Sequence, residues 1–116
     1  MPDDHETIVA EITRLAERGD VDLILTTGGT GLGPRDVTPE ATMAVCDRLV
    51  PGLAETMRME SLKYTPNAML SRAVAGIRRR TLIVNLPGSP RAVRECLEVL
   101  SNVFPHAVAM MHGGGH

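Results

Sequence analysis

One arrangement occurs twice in this chain: a short apolar run, a turn built from glycine and proline, and a helix start with a capping residue and a proline. The first copy is Leu23-Ile24-Leu25-Thr26-Thr27, then Gly28-Gly29-Thr30-Gly31-Leu32-Gly33-Pro34-Arg35-Asp36, then Thr38-Pro39-Glu40. The second is Thr81-Leu82-Ile83-Val84-Asn85-Leu86, then Pro87-Gly88-Ser89-Pro90 and a helix. Apolar runs without alternation fit strands buried on both faces, as in parallel sheets. Thr38 and Ser89 suit the N-cap, and Pro39 and Pro90 the first helical position. Two strand–turn–helix units fit an α/β fold with a mostly parallel sheet. In such sheets ligands sit beyond the carboxyl ends of the strands. Helix starts and glycine amides there can hold phosphates, and glycine lets a ligand approach the backbone. Both turns also serve as plain tight connections. The length of the first, with its charged Arg35-Asp36 pair, tilts it towards function.

The rest of the chain frames these units. Ile8, Ile12, Leu15 and Ala16 are spaced along one buried helical face. Asp3 and Glu6 have the spacing of a capping box, and Gly19 suits the helix end. Met43, Cys46 and Leu49 share a face of the helix begun at Thr38. Pro51-Gly52 breaks it, and Leu53, Met57 and Met59 suggest another behind it. Residues 63–79 read as irregular or mixed, with Arg78-Arg79-Arg80 as a solvated turn. Val93, Leu97, Leu100 and Phe104 form the stripe of the last clear helix. The 116 residues are one domain's worth, 1–116, with an aliphatic core: hydrophobic residues are 43% but aromatic ones 2%, Tyr64 and Phe104. Few rings argue against reading nucleic acid by base stacking, and a net charge of −2 gives no field for a polyanion. No apolar run approaches ~18 residues, and the start lacks a basic region followed by an apolar one, so no membrane partner and a cytoplasmic location are expected. Cys46 and Cys96 stand far apart in apolar patterns and read as buried reduced thiols. His112 and His116 have i, i+4 spacing, but the glycines between them oppose a metal pair.

The glycine loop lacks the Gly-Lys-Ser/Thr end of a P-loop and the third glycine of a dinucleotide fingerprint. Thr26-Thr27-Gly28-Gly29-Thr30-Gly31, followed by Pro34-Arg35-Asp36-Val37-Thr38-Pro39-Glu40-Ala41-Thr42, instead resembles the molybdopterin adenylyltransferase family, which includes the N-terminal domain of gephyrin. The resemblance continues through Pro51-Gly52, Ser61-Leu62, Thr65-Pro66, Met69-Leu70-Ser71-Arg72 and Asn85-Leu86-Pro87-Gly88-Ser89-Pro90. It implies a three-layer molybdopterin-binding fold. It also implies Mg²⁺-dependent transfer of AMP from ATP to the terminal phosphate of molybdopterin, with release of pyrophosphate.

On this resemblance Asp3 and Asp36 are the catalytic and Mg²⁺-holding carboxylates, although each has a local alternative as a cap. Gly28, Gly29, Thr30, Gly31, Ser71, Arg72, Pro87, Gly88 and Ser89 bind substrate, with Ser71 orienting the pterin. The resemblance further implies a homotrimer that covers apolar surface such as Met57, Met59 and Met69, and hand-over to a molybdenum-inserting enzyme. The family domain opens with a strand, a glycine- and Ser-Asp-containing loop, a helix and a second strand that this sequence does not contain. The expectation is therefore an N-terminally truncated domain with weak or no adenylylation by the 116 residues alone. A non-catalytic pterin-binding or scaffold-type fragment is the alternative class.

Overall fold

Residues 4–113 are described in the computed structural model. The elements are α1 (His5–Glu17), β1 (Leu23–Thr27), α2 (Thr38–Val45), β2 (Arg48–Leu49), α3 (Pro51–Ser61), a 3₁₀ turn (Pro66–Leu70), β3 (Ala75–Arg78), β4 (Thr81–Leu86), α4 (Pro90–Leu100) and α5 (Phe104–Met111). The strands form one sheet in the order β1-β4-β3-β2. β1 and β4 run parallel, Leu23 opposite Leu82 through Thr27 opposite Leu86. β3 pairs antiparallel with β4, and β2 antiparallel with β3.

Helices cover both faces, so the expected three-layer α/β architecture holds. β4 shows why. All six of its residues are buried. Ile83 points into one core with Ile8, Ile12, Ile24, Ala41 and Val45. Leu82, Val84 and Leu86 point into the other, with Met57, Cys96, Leu100 and Phe104. In detail the sheet is mixed rather than mostly parallel. The difference comes from residues 63–79, which read as irregular or mixed and supply β3. Arg79, with φ 55°, turns β3 straight into β4. A turn that short joins only antiparallel strands, because a parallel pair needs a long crossover.

β1 departs from the two-face reading. Ile24 and Thr26 are buried, but Leu25 on the opposite face is 40% exposed, because β1 lies at the sheet edge. α1 buries Ile8, Ile12 and Ala16 as spaced, and Gly19 follows it with φ 82°. Its cap is Asp4, whose Oδ2 accepts from the Thr7 amide at 3.1 Å and the Thr7 hydroxyl at 2.8 Å. The capping-box pairing of Asp3 with Glu6 is thus displaced by one residue, and Asp3 itself lies outside the described residues.

α2 is capped at Val37 without a side-chain bond. Thr38 lies inside the helix, and its amide donates to the Gly29 carbonyl at 3.2 Å. The Met43–Cys46–Leu49 face does not form. The helix ends at Val45, Met43 is exposed, and Leu49 belongs to β2. Pro51 does not merely break a helix but opens α3, which buries Ala54 and Met57 and exposes Met59. Ser89 caps α4 as read, its Oγ accepting from the Ala92 amide at 3.1 Å. Both cysteines are free. Burial pushes the Cys46 thiol up to about 11, and it raises Cys96 as well. Among the described residues no helix is long and apolar enough to cross a membrane.

Candidate functional site

Because β1 and β4 are parallel neighbours, their carboxyl-end turns emerge side by side. The Gly28 amide donates to the Leu86 carbonyl at 3.0 Å. A Cβ on Gly88 would lie 3.4 Å from the Gly28 Cα. Gly28 and Gly29 have φ of 83° and 71°, where side chains are strained. A Cβ on Gly29 would also collide with the Thr38 Oγ1. These two glycines let one stretch of chain approach another.

The long loop is held from outside by Arg72. Its amide donates to the Thr30 carbonyl at 2.8 Å and its Nε to the Gly31 carbonyl at 2.8 Å. Its Nη1 reaches Glu40 Oε2, and its Nη2 reaches the Asp36 carbonyl and Glu40 Oε1. One guanidinium therefore ties both ends of the loop to α2. In return it holds the Glu40 carboxyl below its ordinary value. Arg72 is expected from the sequence to bind substrate, and in the structure four of its five guanidinium N–H groups are engaged by the loop and Glu40.

Asp36 closes the loop tip. Its Oδ2 accepts from the Gly33 amide at 2.9 Å, and its own amide donates to the Gly33 carbonyl at 3.0 Å. The local cap alternative for Asp36 is thus realised, through one carboxylate oxygen.

A groove of about 520 Å³ opens beside these turns. One wall is the loop at Thr30, Gly31 and Leu32. The others come from α3, the 3₁₀ turn and α4, with Pro87 at the junction. Of the expected substrate residues, Thr30, Gly31, Ser71 and Pro87 line it. Gly28 and Gly29 pack behind it, and Gly88 and Ser89 form the exposed turn at the start of α4. Ser71 Oγ accepts from the Ala73 amide at 3.3 Å.

Three groups of the site carry no signal in the sequence. Arg58 donates through Nη1 to the Ser71 and Ala73 carbonyls, at 3.2 and 2.9 Å, fixing the segment between the 3₁₀ turn and β3 that bears Ser71. Asn85 is fully buried beneath the Pro87-Gly88 turn. Glu95 lines the groove from α4, yet its i, i+4 spacing with Arg91 looks like a solvated ion pair. Among the described residues no three His, Cys, Asp or Glu side chains gather as a metal cluster.

Residues 1–106 match the family described as "Probable molybdopterin binding domain". The molybdopterin adenylyltransferase of Helicobacter pylori (strain J99) is 48% identical over 111 residues, 96% of this chain and 63% of its own length. The molybdenum cofactor synthesis protein cinnamon of Drosophila melanogaster is 46% identical over 111 residues, 96% of this chain and 18% of its own. The crystal structure of the molybdopterin biosynthesis enzyme MoaB from Thermus thermophilus superposes with a TM-score of 0.89 at 55% identity. That match covers 98% of this chain and 72% of that one. The chain thus spans under two-thirds of the length of the Helicobacter enzyme it matches.

Proposed function

Since the chain belongs to this molybdopterin-binding-domain family, we propose that it binds molybdopterin in the groove and acts in molybdenum cofactor biosynthesis as an adenylyltransferase. A terminal phosphate oxygen of molybdopterin attacks the α-phosphorus of ATP. The new P–O bond forms as the bond to pyrophosphate breaks, and pyrophosphate leaves. Such transfer depends on positioning and on neutralising charge.

The observation that carries the proposal is the convergence of two glycine turns, at the carboxyl ends of β1 and β4, beside one groove. Thr30 and Gly31 on one side, and Gly88 and Ser89 on the other, offer amides and hydroxyls to phosphates. Ser71 orients the pterin and Pro87 walls it. Gly28 and Gly29 shape the turns, and Arg72 is a positioning residue that holds the loop.

The donor set fits Mg²⁺. This ion takes one or two carboxylates and completes its shell with phosphates and water. Asp36 has one oxygen in the loop, which leaves the second for the metal, and the sequence resemblance proposes Asp3 as its companion. Bound there, Mg²⁺ would neutralise phosphate charge. We further propose the homotrimer, cytoplasmic action and hand-over of adenylylated molybdopterin to a molybdenum-inserting enzyme.

The engagement of Asp36 Oδ2 as a loop cap favours a second reading, pterin binding without turnover. The two separate on Asp36→Asn. Asn can still accept from Gly33 but lacks the charge for Mg²⁺. If Asp36 holds the metal, AMP transfer to molybdopterin falls at least about 100-fold while pterin affinity stays within a factor of a few. Equal transfer by both proteins would remove the metal role from Asp36.

A further inference from the structure

Glu95 stands in the second turn of α4 with a side chain only 13% exposed, on the wall of the groove that Cys96 and the α3 residues Ala54 and Met57 also line. Its one side-chain bond is to Arg91, Nε to Oε2 at 3.2 Å. Arg91 lies at the rim, 72% exposed and over the Tyr64 ring. The second oxygen, Oε1, takes no hydrogen bond from the described residues. A carboxylate in a largely apolar wall is costly unless donors meet it. The neighbouring groups do not supply them: Arg58 is turned to the Ser71 and Ala73 carbonyls, and the Ser61 hydroxyl lies 3.9 Å from Cys96 Sγ. The donors are then to come from whatever fills the groove.

We propose that Glu95 is the specificity-determining residue for the heterocycle, its carboxylate accepting from the ring N–H and the adjacent exocyclic amine of a 2-amino-4-oxo-pyrimidine edge. This rests on the reading of the groove as the molybdopterin site. Such an edge presents two parallel donors, the pattern that a carboxylate meets with both oxygens. The phosphate end of the ligand then lies towards Gly31 and Pro87. The flat ring packs against Met57 and Ala54.

The test uses two ligands that differ at one atom, 6-hydroxymethylpterin and 6-hydroxymethyllumazine, which carries oxygen in place of the 2-amino group. Fluorescence titration of the wild type is expected to favour the pterin by roughly 10- to 100-fold, the range for a hydrogen bond to a charged group. Glu95→Gln can still accept from Arg91 but turns an amide N–H₂ towards the ligand's donors, so the preference disappears. Glu95→Asp keeps the charge further back and retains part of it. Thermal unfolding of both variants shows whether they are folded. Retention of the full preference in Glu95→Gln, or equal weakening of both ligands, would overturn the proposal. A wild type that binds both ligands equally would overturn it and leave the groove assignment standing. A wild type that binds neither would overturn both.

Discussion

Asn85 is wholly buried and spends its side chain on three partners. Its Oδ1 accepts from the Val74 amide at 3.1 Å, and its Nδ2 donates to the hydroxyls of Thr26 at 3.0 Å and Thr42 at 2.9 Å. One residue thereby joins β4 to β1, to α2 and to the chain entering β3, directly under the turns of the site. Asn85→Leu would leave several of these groups unpaired at about 1–3 kcal/mol each. Urea unfolding should show a loss of at least about 3 kcal/mol. Glycines give a sharper contrast. Gly29→Ala meets both a φ of 71° and the Thr38 hydroxyl, and should lose more than about 1 kcal/mol. Gly52→Ala, with nothing within 4 Å and a helical backbone, should be neutral or gain up to about 1 kcal/mol. The loop at 28–36 was legible because glycines cluster there, but their reason was not, since Thr38 meets Gly29 only after folding. Asn85 was illegible for a related cause: near a strand end, asparagine reads as a turn former, and its partners are 11 to 59 residues away.

At the level of elements, α1, β4 and α4 could be read because each writes its burial locally, as a stripe or an unbroken apolar run. β3 could not. Ala75-Gly76-Ile77-Arg78 has no alternation, and its pairing is fixed by β4 on one side and β2 on the other. Gly76 is the key to that pairing: a Cβ there would lie 2.5 Å from Cys46 Sγ and 2.8 Å from the Arg48 carbonyl. Gly76→Ala should therefore separate β2 from β3, lowering the unfolding midpoint and unprotecting the Val50 amide, which donates to the Ala75 carbonyl, in hydrogen exchange. The glycine loop depends in the same way on Arg72 and α2. Glu40 has its carboxyl lowered in the folded state, chiefly by the hydrogen bond from Arg72. The stability it lends is therefore present above its ordinary 4.5 and lost as pH falls through the lowered value. The effect is small, because the pair is partly exposed and screened. Arg72→Gln should raise amide exchange across 30–36 at neutral pH, and the wild-type loop should approach that rate only in acid. An acid response that persists unchanged in Arg72→Gln would assign it to another group.

For the whole molecule, compactness and surface disagree in an informative way. The radius of gyration is 13.6 Å, close to the roughly 13.4 Å of a compact chain of this length. The accessible surface is 6689 Å², above the roughly 6,200 Å² expected of a monomer this size. Large apolar side chains stand in that surface. Met59 is 71% exposed and Met69 65%, on two elements that pack together, α3 and the 3₁₀ turn. Met57, expected at the same surface, is instead 4% exposed and belongs to the core, because it lies on the face of α3 turned to the sheet. Large exposed methionines on adjoining elements fit a surface covered by another copy. Light scattering at micromolar concentration should give the mass of three chains, as the proposed homotrimer requires. Met59→Glu with Met69→Glu should give the mass of one. Its unfolding midpoint, extrapolated to low protein concentration, should match that of the wild type, since both side chains are mostly exposed within a single chain. A wild type that scatters as one chain would overturn self-association. A double variant that stays assembled would move the interface away from this surface.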